Sequence, residues 1–143
     1  MMPPWLELAY EELGETEELG PLTNPQIQKY FSVTKYPFRE DSIDPWCAAF
    51  VSWVLETAGI KSTGSAAAKS YLDWGNELDE PRPGCIVVLA RGNDPAHGHV
   101  GFYLRSGTIT IDVLGGNQKD SVCVQKFHHT KVLSYRWPSD YKP

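Results

Sequence analysis

The sequence predicts an α+β domain in which N-terminal helices pack on a small antiparallel β-sheet. Apolar residues recur at helical spacing through the first half of the chain, to about residue 74, and at strand spacing through the second. The turn sequence Pro83-Gly84 lies at the start of the strand-rich half, and helices followed by strands give segregated layers rather than a βαβ alternation. Size and composition agree. The 143 residues are 41% hydrophobic and 22% charged, show no repeat or linker, and fit one domain over 1–143. A chain of this length buries roughly 68–70% of its unfolded surface, so a core forms without disulfide or metal staples.

Each element follows from local signals. Trp5 to Leu13 is a short amphipathic helix stopped by Gly14. Asn24-Pro25 joins an amide cap to proline at the first helical position and opens a helix to about Phe31. Asp44-Pro45 repeats that signal. Trp46, Ala49, Phe50, Trp53, Val54 and Thr57 then recur at helical spacing as far as Ala58, and Gly59 supplies the stop. A further helix is expected from Ser65 to Trp74. Cys85 to Ala90 reads as a central strand, and His99–Arg105 turns at Ser106-Gly107 to return through Thr108–Leu114. Strands near Val122–Phe127 and Lys131–Trp137 complete the sheet. A two-residue Ser106-Gly107 loop pairs Leu104 with Ile109, Phe102 with Ile111 and Val100 with Val113, which puts six apolar side chains on one buried face. His99 then lies on the non-core face, near Gly115-Gly116-Asn117.

Charge and cysteine usage exclude several function classes. A net charge of −5 is opposite to the basic excess of a phosphate-reading surface, so no nucleic-acid partner is expected. No run has the length of a transmembrane helix. The N-terminal segment lacks both a basic region and an apolar stretch, so a chain made in the cytoplasm without a Sec-type signal is expected. The cysteines at 47, 85 and 123 form neither a metal-ligand pair nor an even disulfide set. Glu40, Asp41 and Asp44 lack the alternating ligands of a calcium loop, and no cofactor or metal is expected.

Cys47 falls third in the helix that Asp44 would cap. There the unpaired N–H groups and positive end of the helix favour the thiolate. The same N–H groups form a natural oxyanion hole, with the Cys47 N–H as first donor and Trp46 and Asp44 as neighbouring substrate candidates. Packing as a small hydrophobe is the competing role for Cys47, and core packing the competing role for Trp46. His99, flanked by Gly98 and Gly101, is the candidate base, with His97 second; His128 and His129 read as exposed loop residues. A third group should fix the imidazole tautomer. Asn117, after the flexible Gly115-Gly116 pair, is preferred to Asp112, which lies diagonal to His99 at roughly 7–8 Å between main-chain positions.

The segments Pro45-Trp46-Cys47-Ala48-Ala49-Phe50-Val51, Gly98-His99-Val100-Gly101-Phe102-Tyr103 and Leu114-Gly115-Gly116-Asn117-Gln118 occur in series. They resemble the cell-wall cysteine peptidases of the CHAP amidase and NlpC-type endopeptidase groups, which share a papain-like core. The likeness is closest to a single-domain phage and bacterial branch that opens on a Pro-Trp-Leu helix and ends on a Tyr-Arg-Trp-Pro motif, here Tyr135 to Pro138. The resemblance implies a nucleophile at Cys47, a base at His99, a polar orienter at Asn117, and hydrolysis of a peptidoglycan amide through a thioester. The bond would be that of an N-acetylmuramoyl-L-alanine amidase or of a stem-peptide endopeptidase. Cys85 stands where such families usually carry aspartate and is expected to be structural, as is Cys123. A monomeric, signal-less protein of this kind is either a phage endolysin released after holin action or a secreted antibacterial effector with an immunity-protein partner. Two other classes remain open on the same residues: a papain-like acyltransferase or deamidase, and a non-catalytic wall-binding domain.

Overall fold

A layer of helices covers a six-stranded antiparallel sheet in the computed structural model, which describes residues 2–18, 24–36, 46–93 and 97–141. The helices are α1 (Pro4–Glu11), α2 (Pro25–Phe31) and α3 (Cys47–Thr57), followed by a 3₁₀ turn at Ala68–Asp73. The strands are β1 (Asn76–Leu78), β2 (Ile86–Ala90), β3 (Gly98–Ser106), β4 (Thr110–Gln118), β5 (Ser121–His128) and β6 (Val132–Trp137), in the order β1-β6-β2-β3-β4-β5. The fold is therefore α+β, with β2 and β3 central. Among the described residues, no helix is long and apolar enough to cross a membrane.

α2 starts as its signal dictates: Asn24 Oδ1 accepts from the Gln26 N–H at 2.8 Å, and Pro25 takes the first helical position. α3 begins at Cys47 with Trp46 as its flanking residue and no side-chain cap, so the thiol occupies the first helical position rather than the third. Asp44 and Pro45, on which the expected cap rested, lie outside the described residues, as do Glu40 and Asp41. α3 ends where Gly59 takes φ +83°, a left-handed stop. The helix expected over Ser65–Trp74 is only the 3₁₀ turn. Its Tyr71 hydroxyl is held by Ser52 of α3 at 2.7 Å, and Gly75 at φ +62° turns the chain into β1. β1 itself is too short and polar to show in the hydrophobic pattern.

The β3–β4 register departs from expectation. Phe102 faces Leu114 and Tyr103 faces Val113, while beyond an irregularity at Leu104 the pairs are Arg105–Asp112 and Ser106–Ile111. The connection is longer than Ser106-Gly107, closing with Gly107 N–H on the Thr110 carbonyl at 2.7 Å and leaving Ile109 59% exposed. A bulge adds one residue to one strand and cannot be seen in a strict two-residue period. His99 is also not on an open face. It is only 4% exposed and its ring stacks on Phe127 of β5 at 5.3 Å.

Trp5 ties the helices to the sheet. Its indole N–H donates to the Gly84 carbonyl at 2.7 Å, and its ring meets those of Trp137 and Tyr141 edge-on at 5.1 and 4.8 Å. Phe50 of α3 meets Phe102 of β3 at 6.2 Å, so the helix that carries Cys47 lies against the strand that carries His99.

Candidate active site

α3 is held at its first turn by aromatic packing. Trp46 is fully buried; it stacks on Tyr30 of α2 at 6.0 Å and donates its indole N–H to Glu17 at 2.9 Å. Tyr30 in turn meets Phe50 and Trp53, each at 5.2 Å, and donates its hydroxyl to Glu12 at 2.7 Å. β4 reaches this corner because Gly116 has no side chain: a methyl group there would lie 2.8 Å from Phe50 Cβ and from the Trp46 ring. Core packing is thus the role the structure gives Trp46.

Cys47 is buried at the helix start and His99 enters from β3. Burial opposes the thiolate, but the charge and hydrogen-bonding capacity of the neighbouring His99 outweigh it, helped by the Val100 N–H and the Arg91 charge. The thiol is brought below its ordinary 9.0. Burial likewise opposes the imidazolium, yet the charge and hydrogen-bonding capacity of Cys47 and a hydrogen bond with Gln118 raise His99 above its ordinary 6.5, against the Arg91 charge. The two groups therefore favour each other's charged forms.

The imidazole's second partner is Gln118. His99 Nε2 lies 2.8 Å from Gln118 Oε1. The carboxamide orientation follows from its surroundings, because Gln118 Nε2 donates to the carbonyls of Cys123 at 2.7 Å and Val113 at 3.1 Å. Its oxygen is left to accept, so His99 carries a proton on Nε2 and keeps Nδ1 for the thiol. Nδ1 is buried and has no hydrogen-bond partner among the described residues, so the thiol acts on the imidazole by proximity and charge rather than through a formed bond.

Asn117, the expected orienter, is not in this hydrogen bond. It sits at φ +57°, at the irregularity that separates the Gly115–Cys123 and Gln118–Ser121 pairs. That extra residue reverses the alternation, so Gln118 rather than Asn117 falls on the face of Gly115 and His99. Asparagine after a glycine pair is itself a signal for a left-handed bulge residue, and could have pointed to Gln118. Asp112 is turned away to pair with Arg105 and with Lys126 at 2.8 Å, its carboxyl held below the usual range by them. His97 precedes β3 and is exposed, and His128 and His129 are exposed near the end of β5. Cys85 is buried and pushed up to about 12 by burial. Cys123 is half-buried and donates its thiol to the Gln118 carbonyl at 3.3 Å. Among the described residues, no three His, Cys, Asp or Glu side chains are placed to hold a metal.

A cavity of about 310 Å³ opens beside His99, bounded by Arg91, Asn117, Gln118, Lys119, Gln125, Phe127 and Lys131. A larger one, about 560 Å³, lies at the far end of α3 near Ala58–Ser62, away from the thiol and imidazole. A polarised thiol, a base of fixed tautomer and the N–H groups of a helix start suit attack on a carbonyl carbon. The family profile described as CHAP domain matches residues 39–117, more than half of the chain and the span that contains Cys47 and His99. Comparison with curated proteins finds no match.

Proposed function

Because the chain belongs to the CHAP domain family, whose members are typically cysteine amidases and peptidases of peptidoglycan, we propose that it hydrolyses an amide bond of the cell wall with Cys47 as nucleophile. The observation that carries this reading is the pairing of a depressed thiol at the start of α3 with an imidazole whose other nitrogen is tied to Gln118. Cys47 attacks the amide carbonyl as its proton is held on His99 Nδ1, and the N–H groups of the first turn of α3 receive the developing oxyanion. His99 then protonates the leaving amine. The thioester is hydrolysed by water activated by the same imidazole, restoring the thiol. Gln118 replaces Asn117 in the orienting role.

Purified peptidoglycan incubated with the protein should yield soluble fragments whose masses name the bond, and Cys47→Ala should lower the rate by roughly 10³-fold or more. Retention of full activity by Cys47→Ala overturns the assignment. The pH profile is a second readout. The acid limb, where the thiol takes up its proton, should lie below pH 9.0, and the alkaline limb, where the imidazolium loses one, above pH 6.5.

A further inference from the structure

The chain is acidic overall, yet the charged side chains that bound the cavity beside His99 are cationic: Arg91, Lys119 and Lys131. None of the three has a carboxylate partner among the described residues, unlike Lys126 and Arg105, which share Asp112. The rest of the wall supplies the amide side chains Asn117, Gln118 and Gln125 and the ring of Phe127. A volume near 310 Å³ stands at the low end of ligand cavities, which run from about 300 to 1,000 Å³. It suits one side-chain-sized group rather than a sugar chain.

Lys119 borders this cavity from a strained backbone position. Gln118 pairs with Ser121, so Lys119 and Asp120 form a two-residue hairpin loop, and both take positive φ, +50° and +60°. Loops of that pattern are dominated by Asn-Gly and Asp-Gly, because residues with a bulky side chain are strained there. Lysine nonetheless stands in this strained position, in the loop that borders the cavity. Turn formation does not require a lysine there, whereas a cation beside the cavity would suit an anionic ligand.

We infer that this cavity is a carboxylate subsite: Lys119, Lys131 and Arg91 recognise a free carboxylate of the peptide substrate beside His99. This rests on the hydrolase reading and adds a selectivity to it, for stem peptides whose carboxylates are free over those in which they are amidated. Paired lysine and arginine donors bind a carboxylate through charge-assisted hydrogen bonds, whereas a neutral carboxamide leaves the cations unmatched.

The test is calorimetric titration of Cys47→Ala protein, which binds without cutting, with two soluble muropeptides that differ only in free or fully amidated stem-peptide carboxylates. The free acid should bind roughly tenfold more tightly, equivalent to about 1.4 kcal/mol. Adding Lys119→Gly and Lys131→Gln should shrink that preference to within about twofold. Lys119→Gly suits the turn better than lysine, so its melting temperature should rise and a folding defect is not the cause. Lys126→Gln, which removes one positive charge elsewhere, should leave the preference intact, and Lys119→Gly or Lys131→Gln alone should each lose more of it. Equal affinity for the two peptides, a preference that survives the double replacement, or equal loss in Lys126→Gln each overturns the subsite. Failure to bind either peptide overturns it too. Digestion of whole peptidoglycan by the wild type then tells whether the hydrolase reading stands without it.

Discussion

Gln118 acts through geometry, not charge. With both amide hydrogens taken by the Val113 and Cys123 carbonyls, its oxygen can do nothing but accept from His99. A carboxylate in the same place would face two carbonyl oxygens. Gln118→Ala should therefore lower kcat by about 10²-fold on cell-wall substrate, since the imidazole loses its tautomer and alignment. Asn117→Gly should keep near-full kcat, because Asn117 makes no hydrogen bond to His99 and glycine accepts its left-handed φ. Parallel assays of the two variants decide between the residues; a larger loss in Asn117→Gly would restore asparagine as the orienter. That choice was hard to read from sequence, where the two amides are adjacent and only the backbone bulge separates their directions.

At the scale of elements, the Gly115-Gly116 pair lets β4 touch two different things. Gly116 faces Phe50 and Trp46 in the rigid corner between α2 and α3, whereas a methyl group on Gly115 would run into the Gln118 carboxamide, whose carbon it would meet at 3.0 Å. The consequences should differ. Gly116→Ala overpacks rings that cannot retreat and should cost about 1–3 kcal/mol in denaturant unfolding. Gly115→Ala displaces the buried, hydrogen-bonded Gln118 carboxamide, so stability should fall as well. Its kcat should fall roughly tenfold or more as Gln118 leaves His99, a loss not expected of Gly116→Ala. An equal fall in kcat in both variants would contradict this division. The strands were legible in outline because β3 and β4 are long and apolar. Their pairing was not, because irregularities at Leu104 and at Gly116–Asn117 shift the register in ways that a period of two hides.

Across the whole molecule, the two ends of α3 and of the sheet are secured separately. Around Cys47 the packing comes from Tyr30, Trp46 and Phe50. At the opposite end α1 is pinned by Trp5 against Gly84, Trp137 and Tyr141, with the Arg82 guanidinium 4.7 Å from the Trp137 ring. Trp5→Ala should cost about 3–5 kcal/mol in urea unfolding, while the pH profile of the protein that remains folded stays unchanged. A changed profile would mean that α1 also sets the site. The α+β class, the span of α2 and the presence of a helix after Trp46 and a strand at His99 were legible because an asparagine cap, proline and periodicity are local signals. The helical position of Cys47 and the face of His99 differ from expectation. The burial of His99 against Phe127 was not legible, since it depends on β5 folding beside β4.

The extra residue in β4 has a consequence for comparing this chain with others. Without Asn117, Gln118 would follow Gly116 directly and would still fall opposite Ser121, on the same face as His99. A relative one residue shorter at this point would carry an equivalent orienter at a different count from its glycine pair. Alignment columns counted from those glycines would then set Asn117 against it and place the gap on the wrong side. Pairing across the β4–β5 hairpin, rather than position along the chain, is what identifies the counterpart.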